Sequence, residues 1–206
     1  MRMINPEHIR ALLEMINRGP YYQLLSMKVS EIGVGYSKME VELEQKHLNP
    51  FGIVHGGVYS SILDTVAYWA AYCELDENAG CTSLDVSVDF LAMASSGLIL
   101  AEGRAVKVGR SMCFTEATVR DAQGKLLAKA TSKLMVLQGK QTVQQAIDVL
   151  GCGTGGDGAA GYGARGSGSG GDGAAGYGAR GSGTGGDGAM CHGVTVNGAL
   201  PPKFLD

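Results

Sequence analysis

The stretch from Asn49 to Asp64, N-P-F-G-I-V-H-G-G-V-Y-S-S-I-L-D, constrains the fold more than any other part of the chain. Asn49-Pro50 and Gly52 are loop formers, because proline fixes φ and removes a donor while glycine accepts backbone shapes that other residues resist. The loop runs into His55-Gly56-Gly57. From there Val58, Ile62, Val66, Trp69 and Cys73 recur at steps of three and four, the apolar stripe of a buried amphipathic helix. A second face of that helix, through Gly57, Ser60, Ser61, Asp64, Ala67, Tyr68 and Ala71, is small and mostly uncharged, a surface that another body can approach closely. Asp64 is the only formal charge between His55 and Glu74. A carboxylate alone in a neutral helix needs a partner, water or a task, since burying it unpaired is expensive. The first helical turn has free N–H groups at the positive end of the macrodipole and favours an oxyanion or a polarised carbonyl, and Gly56 and Gly57 leave those groups accessible. On residue types alone, a tight turn relieved by two glycines and a solvated aspartate explain the stretch equally well.

The flanking sequence supplies strands. Residues 5–18 read as a first helix, with Asn5 as N-cap, Pro6 at the first helical position, Glu7 in the first turn and a stripe of Ile9, Leu12, Leu13 and Ile16; Gly19-Pro20 ends it. Residues 23–44 read as two strands reversing near Gly33 and Gly35-Tyr36-Ser37, with Met39, Val41 and Leu43 on one face. After the polar break at Asp76–Gly80, strands are expected over Thr82–Leu91, Leu98–Val108, Met112–Arg120 and Leu126–Leu137, the first with Leu84, Val86, Val88 and Phe90 alternating against Ser83, Asp85, Ser87 and Asp89. Short turns at 94–97, 109–110 and 121–124 make the sheet antiparallel. A helix apolar on more than one side, placed between early and late strands, is one that the sheet would wrap, an α+β arrangement.

The chain divides into a folded unit over residues 1–140, whose N-terminal helix lies within 1–19, a short helical segment or linker over 141–152, a glycine-rich region over 153–192 and a C-terminal tail over 193–206. Thr142–Leu150 carries Val143, Ile147 and Leu150 at helical spacing. Gly168–Ser182 repeats Gly153–Ser167 with one Thr-to-Ser change, and a third copy starts at Gly183 and breaks down at Met190. Such a segment has few side chains with which to offset its ordering entropy, so a flexible linker is expected, and its period does not fit a nonapeptide calcium roll. A net charge of −3 with scattered Lys and Arg argues against nucleic acid, and no apolar run is long enough to span a bilayer. No secretory signal is read at the N-terminus, and a cytoplasmic location is expected. Cys73, Cys81 and Cys113 sit in apolar-patterned elements and read as packed thiols. Cys152 and Cys191 bracket the repeats and would pair only in an oxidising setting.

The pattern N-x-x-G-x-x-H-G-G at 49–57, with an aspartate nine residues after the histidine, resembles the hotdog-fold acyl-CoA thioesterases of the phenylacetate-pathway (PaaI-like) type. The resemblance covers roughly residues 20–138, including T-S-L-D-V-S-V-D-F-L at 82–91 and V-G-R-S at 108–111, whereas family members usually stop near the last strand. It implies an antiparallel sheet wrapped around the long central helix, and hydrolysis of acyl-CoA to free acid and CoA. Asp64 would be general base or nucleophile, and the Gly56 N–H would stabilise the oxyanion, an effect worth about 2.7–4 kcal/mol per donor. Asn49 and His55 match positions that orient the carbonyl or the motif loop, and His55 fits a structural role as well. Ser83 matches a position that in some relatives helps place the attacking water, although a solvated serine suits an alternating strand better. Gly57 is expected at the substrate, and Lys107, Gly109, Arg110 and Ser111 at a strand-to-strand turn would meet the phosphates of coenzyme A. No metal and no cofactor beyond the coenzyme A of the substrate is implied.

Geometry adds a constraint on assembly. Eight residues separate Gly56 from Asp64, about 12 Å along a helix. One thioester carbonyl cannot touch both, so the two must come from different copies of the helix. A homodimer is the minimum, and the resemblance extends this to a dimer of dimers, a tetramer. Two alternatives differ in class: a hotdog hydratase or dehydratase, which needs a histidine and carboxylate in another layout, and a non-catalytic acyl-CoA-binding or scaffold protein centred on the glycine-rich tail.

Overall fold

The structure, a computed structural model, describes residues 3–151 and 200–205. Along the chain these form β1 (Met3–Ile4), α1 (Pro6–Asn17), α2 (Pro20–Leu24), β2 (Met27–Gly33), β3 (Tyr36–Leu43), a single 3-10 turn (Gln45–His47), α3 (Gly56–Tyr72), β4 (Ala79–Phe90), β5 (Gly97–Val108), β6 (Met112–Asp121), β7 (Leu126–Gln138), α4 (Val143–Gly151) and β8 (Phe204–Leu205). Six strands make one antiparallel sheet in the order β2-β3-β5-β6-β7-β4, and β1 pairs with β8 in a separate ribbon.

The sheet wraps α3, as expected of a hotdog fold. Ile62, Leu63, Val66 and Ala67 are fully buried, packing with Val41, Ile99, Val119 and Leu127 from the strands. Each large apolar side chain buried in this way contributes about 1.5–3 kcal/mol. The closest approach is at Gly103 of β5, where a Cβ would stand 2.0 Å from the Val66 carbonyl oxygen, so α3 rests backbone to backbone on the strand. Ser37 of β3 donates its hydroxyl to the same carbonyl at 2.6 Å. Ala67 and Ala71, expected on the open helix face, lie instead at 0% exposure under the sheet. The wrap is wider than the apolar stripe suggests, because alanines let strands close over positions that a larger residue would hold apart.

α1 begins as its sequence predicts, with the Asn5 carboxamide oxygen accepting from the Glu7 N–H at 3.0 Å and Pro6 opening the helix. Gly19-Pro20 ends α1 but also starts α2, so residues 20–24 are a short helix and the strands begin only at Met27. At the helix exit, Asn17 donates to the Val29 carbonyl at 2.9 Å and accepts from the Val29 N–H at 2.8 Å. These two bonds, with a register shift between Val29 and Glu31, blunt the β2 edge of the sheet.

The opposite edge is different. The alternation over 82–91 predicts a strand, and β4 forms there with a register shift between Ser83 and Asp85. Leu84 is 54% exposed and Phe90 56%, while Val86 and Val88 are half-buried. Leu91 and Met93 beyond the strand are also exposed. No other described strand pairs with the outer side of β4.

α4 forms where the spacing of Val143 and Ile147 predicts a helix, and Ile147 is buried. The glycine-rich repeats over 153–192, with Cys152 and Cys191, lie outside the described residues. The end of the 193–206 tail is described, and it is bound to the domain through the β1–β8 ribbon. No described helix is long and apolar enough to cross a membrane.

Candidate active site

α3 starts where the motif places it. His55 is the N-cap, with its Nδ1 accepting from the Gly57 N–H at 2.9 Å, so that ring nitrogen is unprotonated and the imidazole orders the first turn. Gly57 is thereby satisfied internally and offers no free donor. The Gly56 N–H has no acceptor among the described residues. The ring of Phe90 lies against Gly56, where a Cβ would be 3.1 Å from it. Asn49 shapes the preceding loop: its carboxamide oxygen accepts from the N–H groups of Phe51 at 2.9 Å and Ile53 at 3.4 Å.

Two turns further along, Asp64 is half-buried and its Oδ1 accepts from the Ser83 hydroxyl of β4 at 2.7 Å. Ser83 is therefore not a solvated serine. Ser60 and Ser61 donate back to the carbonyls of Gly56 and Gly57, and Thr65 to that of Ser61, so these hydroxyls are occupied on their own helix. No Lys, Arg or His forms an ion pair with Asp64 among the described residues.

Asp64 opens onto two clefts. One, ≈ 590 Å³, runs between α1, α2, α3 and the start of α4, with Met15, Ile16, Tyr22, Tyr68, Trp69 and Val143 among its walls. The other, ≈ 540 Å³, lies between Tyr21, Ser60, Ser61, Val86 and Val88. The Trp69 indole N–H donates to the Tyr22 hydroxyl at 3.1 Å. Burial raises the pKa of both Tyr22 and Tyr68, so both phenols stay neutral and Asp64 is the only carboxylate on an aromatic cleft. Of these walls, Tyr68 was legible in the sequence, one helical turn from Asp64. Tyr22 gave no signal and Val143 signalled only a helix, because it is the fold that carries them to α3.

The turn proposed for phosphates lies elsewhere. Lys107 lies one residue before the end of β5, beside a register shift, the Gly109 N–H is used by the Met112 carbonyl at 2.9 Å, and Arg110 and Ser111 are exposed. Met112 pairs with Met135 of β7, near the Gly80 end of β4, whereas Gly56 sits at the Phe90 end. One chain thus holds Asp64 and Ser83 together, with Gly56 at the Phe90 end of β4 and the 109–111 turn towards the Gly80 end. The three described cysteines are buried, and burial pushes the Cys73 thiol up to about 11 and that of Cys81 up to about 12, which leaves them unreactive at neutral pH.

An antiparallel sheet closed around one long helix, with a carboxylate on the helix flank and a free N–H at its head, defines an α+β domain of the hotdog class. Residues 51–128 match the family model described as the thioesterase superfamily. Solved structures agree on the fold: thioesterase HI1161 of Haemophilus influenzae superposes with a TM-score of 0.62 at 20% identity, covering 68% of this chain and 98% of that one. A phenylacetic acid degradation-related protein of Ralstonia eutropha gives a TM-score of 0.53 at 26% identity over 59% of this chain and 96% of that one. In sequence, acyl-coenzyme A thioesterase 13 of Homo sapiens is 23% identical over 127 residues, 60% of this chain and 90% of that protein. The domain has the hotdog fold and its residues 51–128 are similar to the thioesterase superfamily, a likeness that supports thioester hydrolysis as its chemistry.

Proposed function

We propose that the protein hydrolyses acyl-CoA thioesters, with Asp64 as general base or nucleophile. The observation that supports this most is the Asp64–Ser83 hydrogen bond at the rim of an aromatic cleft. As base, Asp64 takes a proton from water while the water oxygen attacks the thioester carbonyl; the C–S bond then breaks, and the proton goes to the departing thiolate. As nucleophile, its oxygen attacks the carbonyl, the C–S bond breaks to expel the thiolate, and water then hydrolyses the resulting anhydride to the free acid and the restored carboxylate, with the proton going to the thiolate. Ser83 holds one carboxylate oxygen and leaves the other for the reaction.

The oxyanion donor in this reading is Gly56 of the partner subunit. The outer edge of β4, unpaired among the described residues, and its exposed Leu84 and Phe90 are the surface over which two copies would join, since an apolar edge strand invites pairing. Pairing of two β4 strands about a two-fold axis between Val86 and Ser87 sets Ser83 opposite Phe90 of the partner subunit. Because Phe90 lies on Gly56 and Ser83 on Asp64, that register carries a free N–H towards the carboxylate. Asn49 and His55 then serve by shaping the loop and cap that present Gly56. Arg110, with Lys107 and the Gly109-Arg110-Ser111 turn, is assigned to the coenzyme A phosphates, and a dimer of dimers is the fuller assembly.

Release of free thiol from a panel of short aliphatic, medium aliphatic and aromatic acyl-CoA substrates tests the activity. Thiol release from at least one class is expected; hydration of crotonyl-CoA without release would point to the hydratase chemistry instead. Light scattering coupled to size exclusion is expected to give a mass of at least two chains, and a fully active monomer would exclude a shared site.

A further inference from the structure

At the far end of α3, two turns past Asp64, the last residues of the chain return to the domain. Their recognition is complete at the backbone: the Pro201 carbonyl accepts from the His8 Nδ1–H at 2.6 Å, the Pro202 carbonyl from the Asn5 carboxamide at 2.9 Å and the Lys203 carbonyl from the Asn5 N–H at 2.9 Å. The Lys203 N–H donates to Glu77 at 3.0 Å, and Phe204 and Leu205 pair with Ile4 and Met3. The prolines have no N–H to satisfy.

Lys203 is 1% exposed. Its ammonium donates to the carbonyls of Tyr72 at 2.5 Å and Leu75 at 2.7 Å and stands 4.0 Å from the centre of the Tyr72 ring. These carbonyls lie at and just beyond the negative end of α3, where the helix leaves acceptors unpaired. A buried lysine is costly without such acceptors, so the groove is built for this side chain.

We propose that the groove between α1 and the C-terminal end of α3 is a peptide-recognition site, and that its ligand is the Pro-Pro-Lys-Phe-Leu segment of this chain, joined to the domain through the glycine-rich repeats. The site reads three backbone carbonyls, one amide and one ammonium, and it is separate from the Asp64 clefts. His8 gates it. With Nδ1 donating to Pro201, its Nε2 accepts from the Tyr72 hydroxyl at 2.7 Å, which requires a neutral ring. The groups facing His8 are the Tyr72 hydroxyl, the Lys203 ammonium and the Glu77 carboxylate.

Burial lowers the pKa of His8 from its ordinary 6.5; the Pro201 bond and Glu77 oppose the shift, and Lys203 adds to it. The docked state thus binds fewer protons than the released one, so docking is fully present above about pH 6.5 and is lost as pH falls below it. Lys203, lowered to about 8 by burial, is mostly protonated from pH 7.5 down to pH 5.5.

Hydrogen exchange on the intact chain tests the site. At pH 7.5 the Asn5 and Lys203 amides should be protected by at least about ten-fold over an unstructured peptide, and at pH 5.5 that protection factor should fall. Lys203→Gln in the full chain should abolish it. A labelled peptide of residues 200–206 should then bind the vacated groove of that variant but not the wild-type chain, and a peptide carrying the same substitution should bind neither. Coil-like exchange at Asn5 and Lys203 in the wild type, or equal binding of both peptides, overturns the proposal; protection unchanged between the two pH values overturns the His8 gate.

Discussion

Replacing Asp64 by asparagine lowers kcat for acyl-CoA hydrolysis by about 10²–10⁴-fold while leaving the melting temperature close to that of the wild type. The carboxamide keeps the size of the side chain and retains an oxygen to accept from Ser83, so the packing of α3 against β4 survives. What it loses is the group that can take a proton or attack a carbonyl. Steady-state kinetics beside thermal denaturation separate the two effects. Turnover within a few-fold of wild type would remove Asp64 from the chemistry, and a large fall in melting temperature would make it a structural residue.

The largest expected loss of stability is at Gly103. A methyl group there would meet the Val66 carbonyl oxygen at 2.0 Å and its carbon at 2.4 Å. Both are backbone atoms, so no side chain can rotate away, and α3 must lift from the sheet to admit it. Overpacking typically costs 1–3 kcal/mol, and a backbone clash of this depth belongs at or above the upper end, about 3 kcal/mol. For a domain of this size that corresponds to a fall of roughly 6–12 °C in melting temperature. Since α3 carries both Gly56 and Asp64, Gly103→Ala should also reduce activity. A melting temperature within about 2 °C of wild type would show that the helix does not rest on this strand.

The two glycine-dependent features of α3 differ in how they could be read. Gly56-Gly57 announced a helix start because His55 precedes them and apolar residues at helical spacing follow. Gly103 gave no such signal: within L-I-L-A-E-G-R-A-V-K-V it is one small residue in an alternating strand, and its function depends on a helix 37 positions earlier. The same contrast holds for Asp64 and Ser83. Each was singled out by the sequence, the first by its isolation in a neutral helix and the second by the family motif, but their contact depends on the register of α3 against β4.

Local pattern also misled at identifiable places. Pro20 was read as a stop because proline ends helices, yet it also suits a first helical position, and α2 begins there. Alternation over 82–91 gave a strand, but not which of its apolar residues pack: Val86 and Val88 meet the core, whereas Leu84 and Phe90 form an exposed apolar edge. Residues 193–206 are too few for a core of their own, which is irrelevant to a peptide that borrows one.

By itself, the sequence determined the elements and their faces: the capped first helix, the apolar stripe of α3, the alternating strands and the motif that starts the central helix. Those signals depend on neighbours within a turn or two, where bond geometry alone decides which side chains share a face. Only the tertiary structure decided that Ser83 holds Asp64, that β4 is an edge strand of the sheet and that Lys203 closes the end of α3. Such contacts join stretches separated by up to 131 residues, and they form where whole elements bury their apolar faces together. No window of sequence contains both partners.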